Sequence, residues 1–128
     1  MTEKNKKNIL IVEDDAALRK VLTDKLTNEG FEVFEAVNGV EGLKLAAEKH
    51  PALIVLDIFM PIMDGVTMLS KLRSSNAWGK HVLVLVLTNT IDAKTIARVS
   101  GLGTTDFLIK SEWSLDAIIG RIHERLPD

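Results

Sequence analysis

Short apolar runs alternate with segments of helical periodicity along the whole chain. Five short runs rich in apolar residues predict strands, at 9–12, 31–36, 53–56, 82–87 and 107–109. Between and after them, apolar residues recur every three or four positions, which is the spacing of one helix face. These segments predict five helices, which contain Leu22, Leu43, Leu69, Ile96 and Ile119.

The alternation also predicts how the strands are arranged. Each strand–helix–strand unit forms a right-handed crossover, so the strands should make one parallel sheet with helices on both faces. The wholly apolar runs 53–56 and 82–87 suit central strands, whereas 31–36 alternates with charged residues and suits an edge. We expect a flavodoxin-like doubly wound α/β fold with strand order 2-1-3-4-5. Residues 9–128 should form a single domain behind a flexible N-terminal tail, 1–8.

Composition limits the classes of function. The formal net charge of −2 argues against binding to a nucleic-acid backbone, which requires a clustered basic surface. The absence of cysteine excludes disulfides, thiolate metal sites and cysteine nucleophiles. The polar start of the chain lacks the apolar core of a secretion signal, and no run approaches the ~18 apolar residues that cross a bilayer. We expect a cytoplasmic protein with no membrane insertion.

Acidic residues follow the first and third predicted strands. Glu13, Asp14 and Asp15 come directly after the first strand, and Asp57 comes directly after the third. These strands are neighbours in the expected order, so the acids should meet at the carboxyl edge of the sheet, where doubly wound folds bind ligands. Their mutual repulsion favours a bound cation, and oxygen ligands favour Mg²⁺, with Mn²⁺ as an alternative ion. Asp15 has a simpler interpretation as a helix cap.

Two further polar residues stand at the ends of the fourth and fifth strands. Thr88 follows the fourth apolar run and Lys110 follows the fifth, both at the same edge of the sheet as the acids. A hydroxyl and an ammonium that face a carboxylate–metal site would neutralise and orient a tetrahedral anion.

Four motifs in order resemble the receiver (CheY-like) domains of two-component response regulators. They are ILIVEDD at 9–15, VLDIFMPIMDG at 55–65, LVLT at 85–88 and DFLIK at 106–110. The resemblance extends from about residue 8 to residue 126. It implies a signalling phosphoacceptor domain rather than an enzyme, which accepts a phosphoryl group on an aspartate with the help of Mg²⁺.

The resemblance also implies a role for each matching residue. Asp57 would be the phosphoacceptor. The metal would be held by Asp14, Asp57, the main-chain carbonyl of Phe59 and, through water, Glu13. Thr88 and Lys110 would bind the phosphoryl group, and Phe107 would be the aromatic switch residue whose rotamer follows Thr88.

The partners implied are a sensor histidine kinase or phosphotransfer protein as donor and a downstream protein target. Output would come through the face formed by the fourth helix, the fifth strand and the last helix, which is also a candidate homodimer surface. Trp78 and Trp113 are either anchors for a partner or packing residues over helix ends.

The chain departs from the family pattern at several positions. Ser111 replaces a common proline, which favours a trans Lys110–Ser111 bond. Asn89 replaces a smaller residue, and Phe107 lacks the hydroxyl of the tyrosine often found there. Phe59 and Thr90 border the approach of water to the phosphoacceptor, and we expect them to make loss of the phosphoryl group slow.

Three alternatives remain open from the sequence. An aspartyl-phosphate phosphatase would need a second acid two residues after the nucleophile, where Phe59 stands. A flavin-binding module would need a glycine- and hydroxyl-rich loop after the first strand, where the acids at 13–15 would repel phosphate. The chain could also be the input domain of a larger regulator.

Overall fold

A computed structural model describes residues 6–89 and 92–127. Its strands are β1 (Asn8–Val12), β2 (Glu32–Ala36), β3 (Leu53–Leu56), β4 (Leu83–Thr88) and β5 (Asp106–Ile109). Its α-helices are α1 (Ala16–Asn28), α2 (Gly39–Lys49), α3 (Gly65–Arg73), α4 (Ala77–His81), α5 (Ala93–Ser100) and α6 (Leu115–Arg125). A short 3₁₀ helix, Lys110–Glu112, follows β5.

The strands form one parallel sheet in the order β2-β1-β3-β4-β5, which confirms the predicted fold and order. β1 and β3 are neighbours, with Val12 opposite Leu56. All four residues of β3 are buried, as a strand covered on both faces requires. In the edge strand β2, the two glutamates are exposed, Val33 and Phe34 are partly buried and Ala36 is buried, in agreement with its mixed sequence. β1 begins at Asn8, the last residue of the predicted tail, and residues 1–5 lie outside the described part of the chain.

Alternate residues of each strand pack into one of two cores. On one face of the sheet, Leu10 and Val12 pack with residues of α2, α3 and α5. On the other face, Ile9 and Ile11 pack with residues of α1 and α6. The period of two along the strands thus places helices on both faces of the sheet. No described helix is long and apolar enough to span a membrane.

The prediction of five helices was wrong by one, because six occur among the described residues. The additional helix is α4, which lies between the predicted third helix and the predicted fourth strand. It has only five residues, too few to establish helical periodicity. Its start is fixed by a local cap, in which the Gly79 N–H donates to the Asn76 side chain at 2.8 Å.

Arg73, at the end of α3, attaches α4 and the α5–β5 loop to the rest of the molecule. Its Nη1 donates to the carbonyls of Gly79 at 2.9 Å and Val82 at 2.8 Å. Its Nε and Nη2 donate to the carbonyls of Leu102 at 2.8 Å and Gly103 at 2.9 Å. One guanidinium therefore satisfies four main-chain acceptors in two separate segments.

Candidate functional site

Three carboxylates meet at the carboxyl edge of the sheet, as predicted. One oxygen each from Glu13, Asp14 and Asp57 lies within 4.8 Å of the others. Glu13 and Asp57 are buried, at 2% and 5% exposure, whereas Asp14 is open to solvent. The cluster therefore combines two desolvated acids with one that a ligand can reach from solvent.

The register of β1 and β3 brings these acids together. Val12 and Leu56 are the last residues of the two strands and lie opposite each other. The Asp57 N–H continues the ladder by donating to the Val12 carbonyl at 3.0 Å, so Glu13 and Asp57 emerge side by side. The convergence follows from parallel pairing, in which all strands end at the same edge.

Lys110 supplies the cationic partner inside the cluster. Its Nζ lies 2.9 Å from Glu13 Oε1 and 3.5 Å from Asp57 Oδ2, and its side chain is only 15% exposed. Burial by itself would lower the pKa of Lys110. Hydrogen bonds and charge from Glu13 and Asp57 outweigh burial and raise that pKa, so the lysine is firmly cationic.

The Asp57 carboxyl is strongly perturbed by these surroundings. Burial raises its pKa from 3.8 to about 7, and the negative charge of Glu13 acts in the same direction. Lys110 opposes the rise but does not cancel it. Asp57 therefore ionises with difficulty unless further positive charge reaches the site. A bound cation would stabilise its ionised form.

Asp15 belongs to the structural support of the site. Its side chain accepts hydrogen bonds from the N–H groups of Ala17 at 3.0 Å and Leu18 at 3.2 Å at the start of α1. Its own N–H donates to Glu13 Oε2 at 3.1 Å. The interpretation of Asp15 as a helix cap is thus borne out by its contacts, and the same residue also orients Glu13.

Arg19 is a supporting residue that the sequence pattern does not indicate. Its Nη1 donates to the Glu13 main-chain oxygen at 2.7 Å, and its Nε pairs with Glu35 Oε1 at 3.1 Å. The guanidinium thus ties the acidic β1–α1 loop to the edge strand β2. The sequence does show a basic residue about one helical turn after the acidic loop. The partner of Arg19 in that loop is a main-chain carbonyl, however, and no pattern of side chains indicates such a partner.

Thr88 ends β4 with a buried hydroxyl. Its Oγ1 is fully buried and has no hydrogen-bond partner within the described residues. A buried hydroxyl without a partner is costly and is therefore informative about a ligand. Phe107 on β5 lies opposite Val86, two residues before Thr88, so the two side chains share one face of the sheet. Phe107 packs against the core on the α5 side rather than joining the charged cluster.

The loop after β3 passes close to Asp57. The Gly65 N–H donates to the Ile58 carbonyl at 2.8 Å, and a Cβ at position 65 would collide with the Asp57 main-chain oxygen. Glycine is therefore required for this close approach. The Phe59 side chain in the same loop is 56% exposed. Thr90, the other predicted rate-tuning residue, lies outside the described residues.

Among the other positions discussed from the sequence, Asn89 and Ser111 lie next to site residues, whereas Trp78 lies in α4, before the start of β4. Asn89 and Ser111 are exposed, and the Lys110–Ser111 bond is trans, as expected. Trp78 packs against the core and stacks on His50 with ring centroids 4.2 Å apart. Trp113 is half-buried beneath the Arg121 guanidinium, which lies 4.9 Å from its ring centroid. Both tryptophans therefore have packing roles within the domain.

The donor set fits a hard divalent cation. Glu13, Asp14 and Asp57 offer only carboxylate oxygens, and Lys110 is the one cation paired with this cluster among the described residues. Three acids against one lysine leave the cluster negative, and oxygen donors are those that Mg²⁺ prefers.

The chain resembles known regulators over most of its length. Residues 9–123 match the model of the response regulator receiver domain. A probable transcriptional regulator ycf27 of Porphyra purpurea is 36% identical over 110 residues, which cover 84% of this chain and 43% of that protein. The putative positive transcription regulator BvgA of Bordetella pertussis is 39% identical over 105 residues, which cover 81% of this chain and 49% of BvgA. The chain thus spans less than half the length of these two relatives.

Solved structures agree with the sequence match. A CheY-like receiver domain protein of Methanospirillum hungatei superposes with a TM-score of 0.88 at 25% identity, over 95% of this chain and 94% of that one. The N-terminal domain of an uncharacterized Wolinella succinogenes protein gives a TM-score of 0.86 at 29% identity, over 94% of each chain. Sequence, fold and the convergence of acids at one sheet edge agree, and the chain belongs to the response regulator receiver domain family.

Proposed function

We propose that Asp57 accepts a phosphoryl group from a phosphohistidine of a sensor histidine kinase or phosphotransfer protein. The observation that carries the proposal is the position of the Asp57 carboxylate, buried between Glu13 and Lys110 beside the exposed Asp14. This is the arrangement that phosphoryl transfer requires, because the reaction depends on positioning and charge neutralisation. As receivers are signalling phosphoacceptor domains, the chain is not an enzyme in the usual sense.

In the transfer, an Asp57 oxygen attacks phosphorus as the N–P bond of phosphohistidine breaks and the imidazole leaves. Lys110 is near enough to pair with the new phosphoryl oxygens, since its Nζ already lies 3.5 Å from Asp57 Oδ2. Asp14, Asp57, the Phe59 carbonyl and, through water, Glu13 would hold the metal. Bound Mg²⁺, or Mn²⁺ in its place, would neutralise charge on the transferred group and on the acids around it.

The phosphorylated form would signal through Thr88 and Phe107. The Thr88 hydroxyl lacks a partner among the described residues, and a phosphoryl oxygen on Asp57 would provide one. The Phe107 side chain lies on the same face of the sheet, so movement of Thr88 can alter its packing. The altered surface of α5, β5 and α6 would then contact a downstream protein or a second copy of the chain.

Two further features belong to the proposal. Phe59 and Thr90 would restrict the approach of water, so that the phosphorylated form is long-lived. The protein would act in the cytoplasm, where a kinase donor is available.

Incubation with Mg²⁺ and acetyl phosphate, followed by intact mass, tests the central claim. The wild type should gain one phosphoryl mass and Asp57→Asn none. The same gain in Asp57→Asn would mean that another residue is the acceptor. No gain in the wild type would contradict the proposed function.

A further inference from the structure

Charge is distributed unevenly along this chain. Residues 65–105, which include α3, α4, β4 and α5, contain five lysine and arginine residues and one acid, a formal charge of +4. The whole chain carries −2, so the remaining residues carry −6. A basic segment in an acidic protein produces a local positive potential that the net charge conceals.

Four of the five cations of this segment are exposed. They are Lys71 on α3, Lys80 on α4, and Lys94 and Arg98 on α5. None of them has an ion pair in the described part of the chain, where carboxylates pair with Arg19, Lys20, Lys25, Lys110, Arg121 and Arg125. Arg73 differs from these four, because its guanidinium is engaged by four main-chain carbonyls.

Lys71, Arg98 and Lys80 line two grooves that both include residues of helix α3. The groove between α3 and α5 has a volume of about 490 Å³ and is lined by Val66, Thr67, Ser70, Lys71, Arg98 and Leu102. The groove between α3 and α4 has a volume of about 690 Å³, and Ser74, Asn76, Lys80 and His81 contribute to its walls. Both grooves therefore combine cations with hydroxyl or amide donors, which together suit carboxylate groups.

We propose that this α3–α4–α5 surface, defined by Lys71, Lys80 and Arg98, binds an acidic segment of a partner protein. Charge complementarity favours such a segment, because the cations are unpaired and stand in concave sites. A nucleic acid is disfavoured relative to a short acidic segment, because its backbone carries a charge at every phosphate and would extend beyond these cations onto the acidic rest of the chain. In addition, the ring of Trp78, the tryptophan of α4, is covered by His50 and is not free to stack on bases.

The test measures binding of a fluorescein-labelled peptide of ten glutamates to the full chain by anisotropy. Lys71→Gln with Arg98→Gln should weaken binding at least about fivefold. The matched control, Lys20→Gln with Lys44→Gln, removes the same net charge from α1 and α2 and should change affinity less than about twofold. Circular dichroism and urea unfolding verify that both double variants fold.

Three outcomes would overturn the proposal. Equal weakening in both double variants would mean that the peptide responds only to net charge. Absence of peptide binding to the wild type would exclude an acidic segment as the ligand of this surface. Tighter binding of a ten-nucleotide DNA strand than of the peptide would assign the surface to nucleic acid instead. None of these results depends on whether Asp57 is phosphorylated, so this proposal and the proposed function fail separately.

Discussion

Lys110 lies closer to Glu13 than to Asp57, with its Nζ 2.9 Å from Glu13 Oε1 and 3.5 Å from Asp57 Oδ2. The lysine that should bind the phosphoryl group is thus bonded most closely to an acid that is not the acceptor. Glu13 acts on Asp57 in two ways, since its charge raises the pKa of Asp57 and it competes with Asp57 for the ammonium of Lys110.

Glu13→Gln should therefore lower the pKa of Asp57. The substitution removes a negative charge and leaves Lys110 free to pair with Asp57. Carbon-detected NMR titration of the Asp57 carboxyl in EDTA measures this directly. An unchanged or higher pKa of Asp57 would contradict the influence assigned to Glu13.

The stability of the protein in EDTA should fall as pH rises through about 7. The folded-state pKa of Asp57, about 7, exceeds its ordinary value of 3.8, so the folded protein binds this proton more tightly than the unfolded chain. The stabilisation that this bound proton provides is complete below pH 3.8 and is lost progressively as the pH rises to about 7. Asp57→Asn should flatten this dependence and be more stable than the wild type at pH 8. Urea unfolding at pH 5 and pH 8 gives the free energy of unfolding at each pH. The same change between the two pH values in wild type and Asp57→Asn would contradict the prediction.

Asp14→Ala should weaken Mg²⁺ binding at least about tenfold, because a hard cation loses an anionic oxygen. The adjacent acid provides a matched control. Asp15→Ala should retain Mg²⁺ affinity and instead lower the free energy of unfolding by about 1 kcal/mol, through loss of the α1 cap. Calorimetric titration and urea unfolding distinguish the two effects. Similar Mg²⁺ affinities for Asp14→Ala and wild type would exclude Asp14 as a ligand.

Thr88→Val should stabilise the unphosphorylated protein by about 1 kcal/mol, because it replaces a buried, unpartnered hydroxyl by a methyl group of similar shape. The same variant should still be phosphorylated but show smaller amide shifts on phosphorylation. Thr88→Ser keeps the hydroxyl and should retain the shifts. Amide shifts in Thr88→Val as large as those in the wild type would show that this hydroxyl does not contribute to the response.

Phe59→Asn should lose its phosphoryl group several-fold faster than the wild type, because a smaller polar side chain admits and orients water. Phe59→Leu keeps the apolar bulk and should remain slow. Decay of the phosphoryl mass after removal of acetyl phosphate gives the rates. The 56% exposure of Phe59 makes the test meaningful, since a side chain turned fully into solvent would leave both variants unchanged.

The sheet and the acid cluster could be predicted because they depend on regularities of the sequence. Apolar runs locate the strands, and parallel pairing brings Glu13, Asp14 and Asp57 to one edge whatever the details of the loops. The preference of Lys110 for Glu13 depends on differences of less than an ångström, which no spacing encodes.

The missed features share a different cause. Helix α4 is a single capped turn, so it has no periodicity to detect. Arg19 and Arg73 bind main-chain carbonyls, and any residue type supplies a carbonyl. A sequence pattern therefore cannot indicate which carbonyls these side chains will reach.

The Arg73 contacts have a consequence for how this domain tolerates sequence drift. Because all four acceptors are main-chain oxygens, the segments that Arg73 holds can exchange their surface side chains without losing attachment. Arg73 itself has no such freedom, since lysine carries a single ammonium and cannot reproduce the planar, forked donor geometry. The attachment of the region around α4 thus depends on the identity of Arg73 and not on the surface side chains of the segments that it holds.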